Sequence, residues 1–246
     1  MPVSDAMPLL VARDLVAGYL PGINILNGMS VDVMRGEVRC VLGPNGTGKS
    51  TLLKVLFGFL PAQQGEMRLG TTSLHGVASY DMSRHGITYL PQRPSVFPFL
   101  SVEVNLRLGT WSFRRNRGLA RERIERAYAQ FPILAERRRQ AAGTLSGGQQ
   151  RQLEIARALM TDPSVMLIDE PTASIEPRIS AQIYALIAGL ARDGKAILLV
   201  DQNIKGALGI ADYVYVMRTG ALFEEGPRGN FSDDVETLVS RWLYTT

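Results

Sequence analysis

Gly43-Pro44-Asn45-Gly46-Thr47-Gly48-Lys49-Ser50-Thr51 is the stretch on which the reading of the chain turns. It follows the apolar run Val38 to Leu42, which reads as a buried strand. It precedes Leu52-Leu53-Lys54-Val55-Leu56-Phe57, whose apolar positions fit a helix. Strand, glycine loop, Lys-Ser and helix in this order form a P-loop. Each residue type has a chemical reason. A triphosphate needs many N–H donors close to its oxygens, so Gly43, Gly46 and Gly48 clear side chains from where backbone meets phosphate. The helix start after Gly48 turns free N–H groups and the positive end of the helix dipole toward the anion. Lys49 adds a full charge for the β- and γ-phosphates, and the Ser50 hydroxyl is a hard oxygen ligand suited to Mg²⁺.

The 246 residues suffice for one large domain or two small ones, and 46% hydrophobic with 20% charged residues describes a globular chain with a sizeable core. No apolar run reaches the roughly 18 residues needed for a membrane-spanning helix. Met1 to Leu10 contains Asp5 and lacks both a basic start and a long apolar stretch, so a secretory signal is not expected. The single cysteine, Cys40, excludes an intrachain disulfide or a cysteine metal site and fits a reducing compartment. A net charge of +4 permits contact with acidic surfaces without demanding nucleic acid.

Outward from the P-loop, strands are expected over Leu9–Leu15, Ile25–Val33, Glu66–Leu69 and Gly86–Leu90, with Pro61–Gly65 a loop. Tyr19 reads equally as core or as a flat platform for a purine. Gln92, just after the Gly86–Leu90 strand, reads by itself as a solvated side chain. Ser101 N-caps a helix to Leu108, with Glu103 in its first turn. Arginines at 114, 115, 117, 121, 123 and 126, then Arg137 to Arg139, read as a solvated helical face with Glu122 and Glu125 offsetting part of the charge. Anionic lipid headgroups are the sharper alternative for them. Leu145-Ser146-Gly147-Gly148-Gln149-Gln150 opens a helix from Gln149 to Met160, as a simple turn or as a second anion-binding helix start with Ser146 as an added donor.

Val165 to Ile168 is an apolar strand ending in Asp169-Glu170. Adjacent carboxylates at the end of a buried strand are costly unless a cation or a catalytic task occupies them. Beside a P-loop, Asp169 is expected to hold the Mg²⁺ shell and Glu170 to polarise the attacking water. Arg178–Leu190 is an amphipathic helix. Ala196–Val200 is a strand ending in Asp201-Gln202-Asn203. Tyr213–Met217 and Ala221–Glu225 pair about the Thr219-Gly220 turn, and Glu236–Leu243 is a short terminal helix with Val235, Leu238, Val239 and Trp242 apolar.

The P-loop, Gln92, the Leu145–Gln150 run, Val165–Glu170 and the strand end at Gln202, in this order, resemble the ATP-binding cassette of ABC transporters over nearly the whole chain. Phe131 to Arg138, Ala142 to Gly148 and Val200-Asp201-Gln202-Asn203 are similar to the second ATPase of branched-chain amino-acid uptake systems, with urea and amide importers close behind. The resemblance implies an α/β cassette with a RecA-like P-loop core, a mainly parallel sheet, an N-terminal antiparallel β part and an inserted helical subdomain. It implies one domain over 1–246, with core and β part at about 1–92 and 158–246 and helices at about 93–157.

By the same resemblance, Tyr19 stacks on adenine, Gly43 to Thr51 cradle the phosphates, and Gln92 contacts Mg²⁺ and senses the membrane subunit. Leu145, Ser146, Gly147, Gly148 and Gln149 close on nucleotide held by the opposite subunit. Asp169 and Glu170 serve Mg²⁺ and base. ATP and Mg²⁺ are the implied cofactors. The implied partners are a second, different cassette subunit (a homodimer being the alternative), two transmembrane permeases and, indirectly, a solute-binding protein, with no nucleic acid. The implied location is peripheral, on the cytoplasmic face of the inner membrane. Two departures stand out: Gln202 where most cassettes have histidine, a change shared with the amino-acid subfamily, and Ser174-Ile175 where a Gly-Leu pair is usual. A soluble ABC ATPase of DNA repair or translation is the competing reading. Only about fifty residues separate Gln92 from Leu145, which leaves no room for long coiled coils, and there is one cassette rather than two. A regulator without turnover is opposed by Glu170.

Overall fold

The structure, a computed structural model, describes residues 7–231 and 234–244; the reading of the first six residues lies outside them. The strands are β1 (Leu10–Ala17), β2 (Leu26–Val33), β3 (Val38–Leu42), β4 (Gln64–Leu69), β5 (Thr72–Ser73), β6 (Ile87–Leu90), β7 (Val165–Asp169), β8 (Ala196–Val200), β9 (Tyr213–Arg218) and β10 (Ala221–Pro227). The helices are α1 (Lys49–Leu56), α2 (Ser79–Met82), α3 (Val102–Gly109), α4 (Arg117–Gln130), α5 (Pro132–Glu136), α6 (Gly147–Leu159), α7 (Pro177–Arg192), α8 (Ile204–Leu208) and α9 (Val235–Tyr244).

A six-stranded sheet in the order β10-β9-β3-β8-β7-β6 forms the centre. Its five strands from β9 to β6 pair in parallel, and β10 closes one edge antiparallel to β9. Every residue of β3, β7 and β8 is buried. Parallel strands covered on both faces carry unbroken apolar runs for this reason. Alternate residues then serve two cores. Cys40, Leu42, Met166, Ile168, Ile197 and Leu199 pack with Leu153 and Ile155 of α6 and Ile183 and Ile187 of α7. Val41, Leu167, Leu198 and Val200 pack with Leu52, Leu53, Val55 and Leu56 of α1 and with β1 and β2. The latter strands belong to a second, antiparallel sheet ordered β2-β1-β4-β5.

Between β6 and β7 the described chain is helical: α3 to α6 with short 3₁₀ turns. Ser101 caps α3 by accepting from the Val104 N–H, as its sequence position predicts. Several expectations move by a turn or less. α6 begins at Gly147, two residues before Gln149, because Ser146 caps it. β4 begins at Gln64, inside the expected loop. β1 runs on to Ala17 through a bulge at Asp14, whose φ is 52°. Leu238 and Trp242 of α9 are buried as their spacing implies; the side chains of Val235 and Leu243 lie outside the description. The P-loop, Gln92, Asp169-Glu170 and Asp201-Gln202 follow β3, β6, β7 and β8, so all four sit at the carboxyl edge of one parallel sheet, where α/β sheets bind ligands.

Candidate nucleotide site

The P-loop is built tightly against the neighbouring turn. A Cβ on Gly43 would stand 2.2 Å from the Met217 carbonyl oxygen, and the Gly43 φ of 140° is open to glycine alone. The Gly220 N–H donates to the Thr47 carbonyl at 3.0 Å, fastening the loop to the β9–β10 turn. Lys49 Nζ donates to the carbonyls of Gly43 and Pro44, both at 2.8 Å, which holds the ammonium over the loop. Burial pulls its pKa down, and the charges of Glu170, Asp169 and Asp201 pull it back up. An open cleft of about 390 Å³ lies above, lined by Tyr19, Asn45, Gly46, Gly48, Lys49, Ser50, Thr51, Gln92, Glu170 and Gln202. Tyr19 is 54% exposed, which removes the reading of it as core. Its hydroxyl lies 3.4 Å from Thr51 Oγ1, so the ring stands at the lip of the cleft.

The carboxylates divide. Ser50 Oγ donates to Asp169 Oδ1 at 3.0 Å, and Tyr89 Oη donates to Asp169 Oδ2 at 3.2 Å. Burial raises the Asp169 pKa, and those two hydrogen bonds oppose it. Glu170 stands between two amides: Gln92 Nε2 donates to Oε2 at 2.5 Å and Gln202 Nε2 donates to Oε1 at 2.6 Å. Gln92 is therefore not a solvated bystander. The resemblance implies that it contacts Mg²⁺, and here its amide rests on Glu170. Gln202 likewise does not simply point at solvent. The Glu170 φ of 43° is left-handed for a non-glycine residue, a conformation held by its N–H donating to Val200 O at 2.8 Å.

Leu145 to Gln149 do not line this cleft. Ser146 and Gln149 bind each other as a capping box, with Gln149 N donating to Ser146 Oγ at 3.4 Å and Ser146 N to Gln149 Oε1 at 3.1 Å. Gly148 has an internal reason to be glycine, since a Cβ would meet Ile179 Cγ2 at 2.3 Å. Gly147 has none: it is exposed, and its Cβ would meet open space. The run thus presents an open helix start away from the chain's own P-loop.

Residues 26–173 match the family model described as ABC transporter. The chain belongs to the ABC transporter ATP-binding family. As such a cassette it is an ATPase. It is 38% identical over 213 residues to the high-affinity branched-chain amino acid transport ATP-binding protein BraG of Pseudomonas aeruginosa, spanning 87% of this chain and 91% of that one. It is 37% identical to the probable branched-chain amino acid transport ATP-binding protein LivF of Archaeoglobus fulgidus, over 86% and 89% of the two chains. Among solved structures it superposes with TM-score 0.82 on the ADP conformation of MJ1267, an ATP-binding cassette of an ABC transporter, at 29% identity over 95% and 98% of the two chains. Cassettes of this family bind nucleotide and work with membrane components. No helix among the described residues is long and apolar enough to cross a membrane itself.

The cassette also uses residues that sequence reading passed over. Arg151 of α6 is fully buried and ion-paired to Glu154 at 2.5 Å. It donates to the carbonyls of Pro91, at 2.7 Å, and Gln92. Glu154 in turn accepts from Ser95 N at 2.8 Å. The helix opened by Ser146 is thereby pinned to the backbone that carries Gln92. Its signal lay in the sequence: Arg151, Ile155 and Leu159 share one stripe of α6, and an arginine on an apolar stripe needs partners.

Tyr184 is the second such residue. Its hydroxyl donates to Asp201 Oδ2 at 2.8 Å and lies 3.0 Å from Thr172 Oγ1, tying the loop after Glu170 to the strand end before Gln202. Burial raises the Asp201 pKa, and the Asn203 backbone N–H and the Tyr184 hydroxyl oppose that. Tyr184→Phe leaves a buried carboxyl short of a donor and is expected to cost about 1–3 kcal/mol of stability. Urea unfolding of the two proteins measures it.

Ser174 sits at φ 59°, where the usual family glycine would be unstrained. Ser174→Gly is expected to stabilise the cassette by about 0.5–1 kcal/mol, the relief of left-handed strain less the chain entropy of glycine. A raised urea midpoint at unchanged slope is the expected sign.

Proposed function

We propose that this cassette is the ATP-hydrolysing subunit of an importer for branched-chain or other hydrophobic amino acids. The observation that carries the substrate class is similarity to BraG and LivF across nearly nine-tenths of their lengths. The working arrangement is peripheral, at the cytoplasmic face of the inner membrane, with two permease subunits and a second, different cassette. The chain itself is one domain, with the helices from about 93 to 157 as an insertion in the core and β part.

In this reading the ring of Tyr19 stacks on the adenine, and Gly43 to Thr51 hold the phosphates with backbone N–H groups. Ser50 Oγ and Asp169 Oδ1, hard oxygens 3.0 Å apart, are donors of the kind Mg²⁺ takes, and Gln92 can turn its amide oxygen toward the same ion. Mg²⁺ held by these residues would supply positive charge to offset that of the phosphates. Glu170 takes the proton of the attacking water at an Oε now held by an amide, so Gln92 and Gln202 must turn away for it to act. Gln202 then donates its N–H to the γ-phosphate, a bond it can make without ionising. Ser146, Gly147 and Gly148 close on nucleotide in the opposite subunit.

Gln202→Ala is expected to slow hydrolysis roughly ten- to a hundredfold, since a donor to a charged acceptor is worth about 1.5–3 kcal/mol. Gln202→His should keep activity and gain a pH dependence near the imidazole pKa of about 6.5. ATPase rate against pH, with the same partner subunit throughout, measures both; an alanine variant as fast as wild type removes Gln202 from the chemistry. The transport assignment is tested by purifying the chain with its membrane subunits and measuring uptake of labelled leucine against urea in vesicles. ATP-driven uptake of urea and not leucine refutes the amino-acid assignment.

A further inference from the structure

Asp201 is a buried carboxylate that the proposed chemistry leaves unused. It is 2% exposed and forms no ion pair among the described residues. A carboxylate so placed is costly unless hydrogen bonds hold it. Both of its oxygens are held: Oδ1 accepts from Asn203 N at 2.9 Å and Oδ2 from the Tyr184 hydroxyl at 2.8 Å. Tyr184 has one proton to give. It goes to the carboxylate, which can only accept, so in the 3.0 Å contact with Thr172 Oγ1 the threonine is the donor. Burial, and then the Asp201 charge, push the Tyr184 pKa up, which keeps that proton in place. The result is a directed chain from Thr172 through Tyr184 to Asp201. Thr172 lies two residues after Glu170, and Asp201 immediately precedes Gln202.

The tyrosine ring also seats the turn that follows. A Cβ on Gly206 would stand 2.3 Å from Tyr184 Cε2, so the first turn of α8 lies flush on the ring. Asn203 Oδ1 caps that turn by accepting from the Gly206 N–H at 3.0 Å. Gln202 therefore stands between two residues that are both fastened, Asp201 and Asn203. The turn borders an open cavity of about 810 Å³, lined by Glu170, Thr172, Tyr184, Asp201 and Gln202 among others, so its backbone is held from the tyrosine side.

We propose that Tyr184 is a positioning residue for ATP hydrolysis: through Asp201 it fixes the backbone on which Gln202 swings from Glu170 to the γ-phosphate. This rests on Gln202 being the γ-phosphate donor. Gln202 Nε2 lies on Glu170 Oε1 at 2.6 Å, and a side chain that changes partners meets the second one only if its Cα stays in place. A misplacement of about 1 Å can cost roughly a hundredfold in rate. The link to Thr172 keeps that Cα in register with the loop that carries the base. Tyr184 is not among the residues lining the P-loop cleft, so nucleotide affinity should not depend on it.

The experiment is a double-mutant cycle on steady-state ATPase, with the same partner subunit throughout and rates expressed per nucleotide-binding site counted by ATP titration. Tyr184→Phe should lower kcat about tenfold and leave KM for ATP within about twofold of wild type. In the Gln202→Ala background the same substitution should lower kcat by less than about twofold, because the donor it positions is gone. Asp201→Asn is the second variant, and it decides the cycle if Tyr184→Phe yields no folded protein. It leaves α7 intact, removes the charged acceptor from the hydroxyl, and should show the same kcat loss and the same dependence on Gln202. A tyrosine that only supports the fold predicts an equal loss of kcat in both backgrounds, or a loss confined to the number of binding sites. Either result overturns the proposal, as does wild-type kcat in Tyr184→Phe beside a slowed Gln202→Ala. A Gln202→Ala variant as fast as wild type removes the donor itself, and the inference falls with that reading.

Discussion

Glu170→Gln is expected to bind ATP as wild type does and to turn it over about 10²–10⁴-fold more slowly. The substitution keeps the shape of the side chain and one carbonyl oxygen, and it removes the carboxylate that lines the cleft at the end of β7, where its side-chain hydrogen bonds among the described residues come from two amides. Asp169 is already engaged with Ser50 and Tyr89 and cannot substitute. The geometry adds a second expectation. Gln92 and Gln202 each donate an N–H to a different oxygen of Glu170, and a glutamine at 170 puts an NH2 donor where one of those oxygens stood. One of the two amides must therefore turn away or flip to present its oxygen, and it no longer meets a charged acceptor. The variant should favour the closed, ATP-bound dimer for two reasons: hydrolysis is slow, and the clasp on residue 170 is weakened. Turnover within a factor of about three of wild type would reject Glu170 as the base.

Ser146→Arg is expected to lower turnover at least about a hundredfold while nucleotide affinity stays near wild type. The loss of a helix cap alone costs about 1 kcal/mol of stability. Ser146→Ala, which loses the same cap without bulk or charge, separates that effect from a blocked site. The retained affinity is the informative part. The residues 145–149 do not line the P-loop cleft of their own chain, so an arginine there can stop chemistry without touching the nucleotide bound by that chain. Loss of binding in the arginine variant would place Ser146 in the same subunit's site and undo the composite arrangement.

The parallel core was legible because buried parallel strands cannot alternate: Val38–Leu42, Val165–Ile168 and Ala196–Val200 each read as apolar runs and each became a strand. The P-loop was legible because phosphate chemistry permits few residue types at Gly43, Gly48 and Lys49. The 14-residue α4 was read as a charged helical face, solvated or near anionic lipid headgroups. Its arginines are local in sequence, whereas the cavity they line depends on where α3 lies beside them. Asp14 hid the length of β1, since a bulge breaks the period of two on which strand reading rests. Arg151 and Tyr184 were missed because their roles are set by partners 59 or 60 and 17 residues away in sequence. For Tyr184 the clue was a hydroxyl on a stripe shared with Ile183 and Ile187, a group that burial obliges to find a partner. The two amides on Glu170 were beyond sequence altogether, because three loops at the sheet edge must be placed before they meet.

The composite site is tested most directly by ATPase activity per chain against chain concentration, with the proposed second cassette supplied in equal amount. A site built from the P-loop and Glu170 of one subunit and Ser146-Gly147-Gly148 of the other predicts activity that rises with concentration to a plateau and falls on dilution. Activity per chain that stays constant down to concentrations where sedimentation shows only monomers would contradict it.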